Sequence, residues 1–142
     1  MIALDTDVLA IHYIFTWDKR YRVNEELYAR VKGNAATTIH NLLELCGLFS
    51  LAGLSGKVTI IMQKYLKGKE VKLLFPAYHD QWGDYVSAVI SYIGKGLSYS
   101  DALIAEALEQ SELEALITWN KKHFNGKIDL GVLTPQEYLA KA

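Results

Sequence analysis

Two aspartates interrupt an apolar run at the start of the chain, where the segment IALDTDVL carries Asp5 and Asp7. A carboxylate costs several kcal/mol to bury without a partner, so a strand in a protein core gains nothing from two of them. Asp5 ends the first predicted strand, and ligands of α/β sheets bind at the carboxyl ends of strands. We therefore expect Asp5 to lie at a binding edge. The simpler role for either aspartate is to cap the helix that follows, for which one suffices.

Two further acidic residues, Glu44 and Asp101, extend this pattern. Glu44 is the only formally charged side chain within residues 33–56, so no Lys or Arg of its own helix can neutralise it. Its alternative position is an exposed edge of that helix. Asp101 begins a predicted helix in SYSDALIAEAL, where its carboxylate would face the same edge as Asp5. The alternative is structural, because Ser98 and Asp101 also fit a capping box.

A polar group follows a predicted strand in ALITWNKKHF, where Thr118 and Asn120 stand at the strand's carboxyl end. A hydroxyl and an amide in this place can position water or complete a metal's ligand sphere, although an Asn there is often only a turn residue. Lys121 and Lys122 come next. They are candidates for contact with phosphate groups, and solvated surface lysines are the alternative.

Short apolar strands alternate with helices along the chain, and this order must position the polar residues. The patterns predict strands at 1–5, 71–77, 114–118 and 131–134, and helices at 6–15, 24–31, 38–54, 78–96, 97–112 and 135–142. Residues 57–69 fit a helix or a strand, and Thr6 with Asp7 would cap the first helix. The alternation predicts a three-layer α/β/α architecture with a mainly parallel central sheet.

Length and composition limit the classes of protein. The 142 residues predict one domain over 1–142, and 15 Lys and Arg against 16 Asp and Glu give a formal charge of -1. No global basic field is present, so a nucleic-acid partner would be bound by local charges. The single Cys46 excludes an internal disulfide and favours a cytoplasmic location. The longest apolar stretch, residues 39–54, contains Glu44 and is too short for a membrane span, so we expect no membrane partner.

The four polar segments, taken in order, resemble those of PIN-domain nucleases, and within them the VapC-like ribonuclease toxins of type II toxin–antitoxin modules. In that family an Asp closes the first strand, a Glu follows on an apolar helix, an Asp opens a later helix, and a fourth Asp or Asn follows the next strand. Here LDTDVL, NLLELCG, YSDALIA and ITWNKKHF supply Asp5, Glu44, Asp101 and Asn120. The resemblance covers essentially the whole chain. Asp7 stands where the family often has Asn, and Asn120 stands where many members have Asp.

The resemblance implies a PIN-like fold and a metal-dependent endoribonuclease. Asp5 and Asp101 would be ligands of Mg²⁺ or Mn²⁺, and Glu44 a ligand or a base that orients water. Thr118 and Asn120 would form a supporting polar shell, and Asp7 would be a further ligand or a cap. These oxygen donors suit hard divalent ions, which activate water and stabilise phosphoryl charge. The family also implies an RNA substrate, with Lys121 and Lys122 as RNA contacts, a cognate antitoxin and a homodimer.

Two other classes of function fit parts of the sequence. The DTD triplet also resembles the nucleophile motif of haloacid-dehalogenase-type phosphatases, in which Asp5 would be phosphorylated and Asp7 would act as acid and base. Those enzymes normally have a cap or a longer core and a later acidic pair, which this sequence does not show. The second alternative is a PIN-like module that binds RNA or a partner without catalysis, for which Asn120 is the best argument.

Overall fold

A five-stranded parallel sheet forms the centre of the computed structural model, which describes residues 1–109 and 111–141. Its spatial order is β3-β2-β1-β4-β5, and every neighbouring pair is parallel. The strands are β1 (Ile2–Leu4), β2 (Ala35–Thr38), β3 (Val71–Leu74), β4 (Ala115–Ile117) and β5 (Gly131–Leu133). The first strand lies in the middle, so its carboxyl end opens between the loops that follow β2 and β4.

Helices cover both faces of this sheet. They are α1 (Thr6–Tyr13), α2 (Tyr21–Val31), α3 (Ile39–Leu51), α4 (Val58–Lys67), α5 (Trp82–Gly94), α6 (Tyr99–Leu108) and α7 (Pro135–Ala140). Successive strand residues point to opposite faces, and Ile2 and Leu4 accordingly join one hydrophobic cluster while Ala3 joins another. The first cluster contains residues of α1 to α4 and α7, and the second contains residues of α5 and α6. The predicted three-layer α/β/α architecture is confirmed.

The structure differs from the sequence prediction at β2, which was not predicted. Its four residues, two alanines followed by two threonines, are all buried. A central parallel strand buried on both faces shows no alternation of polar and apolar residues, and this one has no large hydrophobic side chain that would reveal it. The helix predicted over 38–54 is shorter, because Thr38 caps it and Leu51 ends it. The ambiguous segment 57–69 contains α4.

The beginnings and ends of the helices correct two other expectations. Asp5 caps α1, because its carboxylate accepts a hydrogen bond from the Thr6 amide. The prediction that Thr6 and Asp7 form the cap was therefore wrong: both already lie in the first turn of the helix. The helix predicted over 97–112 ends at Leu108, and position 110 in that span lies outside the described residues. No helix in the described ranges is long and apolar enough to cross a bilayer.

Candidate active site

A cavity of about 370 Å³ opens at the carboxyl end of β1. The five predicted acid and amide residues all line it: Asp5, Asp7, Glu44, Asp101 and Asn120. They come from the β1–α1 junction, α3, the first turn of α6 and the loop after β4. Parallel strands bring these loops to one edge of the sheet, so residues 115 positions apart in the chain share one cavity. The roles of these residues in chemistry stay predictions.

Asp5 is the most enclosed of the acids, with 8 % of its surface exposed. One carboxylate oxygen, Oδ1, accepts hydrogen bonds from the Thr6 amide at 2.8 Å and from Asn41 Nδ2 at 3.0 Å. The other, Oδ2, accepts one from the Thr118 hydroxyl at 2.7 Å. Burial, and then the neighbouring charge of Asp7, nevertheless raises the pKa of Asp5 from 3.8 to about 7. The hydrogen bonds therefore do not compensate for the loss of water around this carboxylate.

Asp7 connects the β1–α1 junction to the loop after β4. Its Oδ2 accepts hydrogen bonds from the backbone amides of Trp119 and Asn120, at 3.0 and 3.2 Å, and lies 3.1 Å from the Thr118 hydroxyl. Its Oδ1 is buried and has no hydrogen-bond partner within the described ranges. Burial raises the pKa of Asp7 in spite of these contacts. One oxygen of this carboxylate thus holds the loop, and the other remains available for a ligand.

Glu44 and Asp101 face the same cavity from α3 and α6. Glu44 Oε1 accepts a hydrogen bond from the Thr6 hydroxyl at 2.9 Å, and burial, together with the charges of Asp101 and Asp7, raises the pKa of Glu44. Asp101 Oδ2 lies 3.6 Å from Nδ1 of His123. Its backbone amide donates to Ser98 Oγ at 3.3 Å, so Ser98 caps α6, while the Asp101 carboxylate does not complete the predicted capping box and faces the cavity.

Positive charge in the cavity is scarce. Among residues 1–109 and 111–141, no lysine or arginine forms an ion pair with any of the four acids. Arg20 lines the cavity, but its guanidinium already pairs with Asp18, through Nε to Oδ1 and Nη2 to Oδ2, both at 2.9 Å. Four carboxylates therefore share a partly buried space without a matching set of cations.

The donor set fits a hard divalent cation. Carboxylate and amide oxygens are the ligands that Mg²⁺ and Mn²⁺ prefer, and the buried, unpartnered Oδ1 of Asp7 is a ready acceptor for such an ion. As the side chains stand in the described part of the chain, no three His, Cys, Asp or Glu residues are arranged to hold a metal. Binding would therefore require side chains such as Glu44 and Asp101 to turn towards a common point.

Two residues that were not predicted from the sequence, Asn41 and Arg20, also shape the site. Asn41 is fully buried, and its Nδ2 donates to both Asp5 Oδ1 and Thr6 Oγ1, at 3.0 and 2.9 Å. The sequence could have indicated Asn41 as a site residue, because it is a polar residue one helical turn before Glu44 on an apolar helix. Arg20 had no such signal in the sequence. It reaches the cavity only because the chain turns between α1 and α2.

The two predicted RNA-binding lysines occupy different environments. Lys121 forms an ion pair with Glu137, with Nζ 3.0 Å from both carboxylate oxygens, and it does not line the acidic cavity. Lys122 is exposed and lines a second cavity, which adjoins the first and shares Asp101 with it. Of the two lysines, Lys122 is thus the one whose charge is available beside the acids.

No protein-family model and no curated protein matches this sequence. Solved structures do match its fold. The toxin-antitoxin complex from Klebsiella pneumoniae is 17 % identical with a TM-score of 0.65, covering 95 % of this chain and 98 % of that one. FitAcB from Neisseria gonorrhoeae is 18 % identical with a TM-score of 0.62, covering 96 % and 99 %. PAE2754 from Pyrobaculum aerophilum is 17 % identical with a TM-score of 0.60, covering 99 % and 87 %.

These comparisons establish the fold class. The chain has a PIN-like, three-layer α/β/α fold, and it shares this fold over nearly its full length with these structures, one of which is a toxin-antitoxin complex. The predicted PIN-like fold is confirmed, and the resemblance to VapC-like toxins holds at the level of fold. Identities below one fifth carry over no residue roles, so the chemistry must be argued from the cavity itself.

Proposed function

We propose that this protein is a metal-dependent endoribonuclease that acts in the cytoplasm as the toxin of a toxin–antitoxin pair, with Mg²⁺ or Mn²⁺ as its cofactor. The observation that carries the proposal is the cavity at the carboxyl end of β1, where four carboxylates meet without lysine or arginine partners in the described ranges. Burial raises the pKa of three of them. Such a group is costly to the fold and is explained by a cation that it binds during function.

In this proposal the four acids share three tasks. Asp5 and Asp101 would hold the metal, which when bound would make water more acidic and neutralise charge on the phosphate. Thr6, Asn41 and Thr118 orient the Asp5 carboxylate through hydrogen bonds and leave its Oδ2 able to accept one further ligand.

Glu44 is the proposed proton acceptor or an additional ligand. Because burial raises its pKa, the Glu44 carboxylate is a better base near neutral pH than an exposed glutamate. The Thr6 hydroxyl fixes one of its oxygens and leaves the other to orient water. Asp7 holds the loop that carries Thr118 and Asn120, so it keeps the supporting polar shell in place.

The proposed partners follow from the toxin reading. RNA is the substrate, with Lys122 beside the acids and Lys121 further away as phosphate contacts. A cognate antitoxin would cover the acidic cavity, and one fold relative is a toxin-antitoxin complex. A homodimer is the proposed assembly.

The alternatives differ in how well the cavity supports them. The phosphatase alternative is disfavoured by the fold, because solved structures with the same PIN-like architecture match this chain over nearly its full length. One observation favours the non-catalytic binding module: Asn120 provides an amide where a further carboxylate would strengthen a metal site.

The decisive experiment is cleavage of a labelled, mixed RNA pool by the purified protein in Mn²⁺, Mg²⁺ or EDTA. Asp101→Asn is compared with Asp84→Asn, which changes the same charge on the exposed first turn of α5. We expect metal-dependent cleavage that Asp101→Asn abolishes and Asp84→Asn retains. If the folded wild type neither cleaves RNA nor binds metal by calorimetry, the nuclease proposal is wrong and the binding module is favoured.

A further inference from the structure

We infer that two groups of cations, Arg20 on one side of the acidic cavity and Lys127 with Lys122 on the other, hold the backbone of the RNA substrate so that the strand crosses the acids. The inference rests on the proposed function and adds a binding path to it. The acids repel phosphate groups, so a strand that crosses them needs cations before and after them. The structure supplies cations in both places.

Arg20 is a preorganised phosphate-binding group. Asp18 binds one edge of its guanidinium through Nε and Nη2, and the Trp119 ring lies under it, with 5.5 Å from the guanidinium carbon to the ring centroid. Trp119 is itself fixed, because its Nε1 donates to Asn24 Oδ1 at 2.8 Å. In the described ranges Arg20 Nη1 has no hydrogen-bond partner. A held guanidinium with one edge free is suited to bidentate contact with a phosphate.

The second group of cations lines an adjoining cavity of about 360 Å³. Lys122 is exposed there and makes no ion pair within residues 1–109 and 111–141. Lys127 Nζ donates to the Gly96 carbonyl at 3.2 Å, which holds the side chain in place and leaves two of its three donors for a ligand. The two cavities share Ser98, Asp101 and His123, so one surface path leads from the acids to these lysines.

The two groups of cations belong to opposite faces of the sheet. Arg20 stacks on Trp119, which packs against the hydrophobic cluster of α1 to α4, whereas Lys127 contacts the turn between α5 and α6 on the other face. Arg20 lines the acidic cavity and Lys127 lines the second one, and neither side chain lines both of these cavities. The order along the surface is therefore Arg20, the acids, the shared residues and the lysines. A ligand that contacts both ends contains more than one phosphate.

Exposed aromatic side chains favour a single strand over a duplex. Phe15 lines the acidic cavity, and its ring meets that of Trp17 edge to face, with 5.7 Å between centroids. Trp17 is 76 % exposed. An unstacked base can stack on such a ring, whereas the bases of a duplex are already stacked on one another. The turn between α1 and α2 thus offers both a stacking surface and the Arg20 cation.

The test is RNA binding by fluorescence anisotropy in EDTA, where metal-assisted hydrolysis cannot proceed, over a series of salt concentrations. The probes are single strands of about 4 and about 12 nucleotides and a duplex of the longer sequence, bracketing common single-strand site sizes. We expect Arg20→Gln and Lys127→Gln each to weaken binding of the longer strand by about tenfold, and to lower the salt slope by about 0.7. The short strand and the duplex should bind weakly to every form.

Matched controls separate a defined path from general charge attraction. Arg30→Gln makes the same charge change on the exposed far end of α2, where Arg30 pairs with Glu26. Arg20→Lys keeps the charge without the two-edged guanidinium and guards against a fold defect in Arg20→Gln; it should lose part of the affinity. Equal losses in Arg30→Gln and Arg20→Gln, or none in Arg20→Gln and Lys127→Gln, would overturn the inference.

The outcomes also distinguish this inference from the proposed function. If the wild type hydrolyses RNA and the variants bind and cleave RNA as well as it does, the nuclease proposal stands and the inferred binding path is wrong. If the wild type binds the longer strand through both groups of cations but does not hydrolyse it in Mg²⁺ or Mn²⁺, the binding path stands and the nuclease proposal is wrong. A wild type that neither binds RNA in EDTA nor hydrolyses it in Mg²⁺ or Mn²⁺ overturns both.

Discussion

Replacing Asp5 by asparagine is expected to stabilise the metal-free protein above neutral pH, although it removes a proposed metal ligand. An asparagine preserves the helix cap, because its side-chain oxygen can accept the hydrogen bonds that the Thr6 amide and Asn41 now give to Oδ1. Its amide group can donate to Thr118 Oγ1. The single hydroxyl proton of Thr118, which faces both Asp5 and Asp7, is then free for Asp7.

The size of the effect follows from the raised pKa of Asp5. A carboxyl group whose pKa rises from 3.8 to about 7 on folding destabilises the native state by at most about 4 kcal/mol once it is ionised, at 1.36 kcal/mol per pH unit. The second N–H of the new amide has no protein acceptor among the present contacts of Asp5, and a buried unmet donor costs about 1–3 kcal/mol. We therefore expect Asp5→Asn to raise the unfolding free energy by about 2 kcal/mol at about pH 8.

The pH dependence gives the sharper test. Because the folded pKa of Asp5 lies above the unfolded one, its favourable contribution is complete below pH 3.8 and is lost as pH rises towards about 7. The unfolding free energy of the asparagine variant minus that of the wild type should thus grow by about 3 kcal/mol between about pH 5 and pH 8. Subtracting the two curves cancels groups that titrate the other way, such as Asp18, whose pKa is lowered by Arg20.

Urea denaturation in EDTA at several pH values, for wild type, Asp5→Asn and Asp84→Asn, measures these differences. The unfolding free energy of Asp84→Asn should depend on pH in the same way as that of the wild type, because Asp84 is exposed on α5. Added Mn²⁺ should stabilise the wild type more than Asp5→Asn, since a ligand stabilises only the state that binds it. A wild type at least as stable as Asp5→Asn at high pH, or parallel curves for the two proteins, would refute the reasoning.

Two other substitutions test the polar shell around the acids. Thr118→Val removes the hydroxyl beside Asp5 and Asp7 and should lower the unfolding free energy in EDTA by about 1–3 kcal/mol, with Thr118→Ser near wild type; a valine variant of unchanged stability contradicts this. Asn120→Asp places another carboxylate beside Asp7 and should tighten Mn²⁺ binding in calorimetry while lowering stability in EDTA, because unscreened like charges repel. Equal Mn²⁺ affinity in Asn120→Asp and wild type would show that position 120 does not contribute to a metal site.

The layered fold was predictable from the sequence because most of its strands are short apolar runs between helices. The strand β2 was not, since four small or β-branched residues fully buried in a sheet show no periodicity. Its place in the sheet depends on pairing with β1 and β3, which only the folded chain provides. The prediction of the α1 cap from local sequence was also wrong. Asp5, Thr6 and Asp7 are all residues that can cap a helix, and tertiary contacts decide among them.

The candidate site was predictable to the extent that charge in an apolar segment is a signal. Glu44 on α3 and Asp5 at the end of β1 stood out in this way. Arg20 did not, because it belongs to a polar turn in which a cation is ordinary. Its significance comes from Asp18 and Trp119, which fix it beside the acids, and Trp119 belongs to the loop after β4, almost one hundred residues away in the sequence. Contacts of this kind are set by topology and leave no trace in local spacing.

The two aspartates that open the chain therefore have different structural roles, and neither role accounts for the charge of the cavity. Asp5 caps α1 and Asp7 holds the loop after β4, tasks that an asparagine or a serine performs with less cost from burial. Glu44 and Asp101 add two more carboxylates that their own helix caps do not require, because Thr38 caps α3 and Ser98 caps α6. The repulsion between these carboxylates lowers the stability of the metal-free protein. The same repulsion strengthens the binding of a cation, as a cation-dependent site requires. Stability and metal affinity should therefore change in opposite directions when an acid is removed.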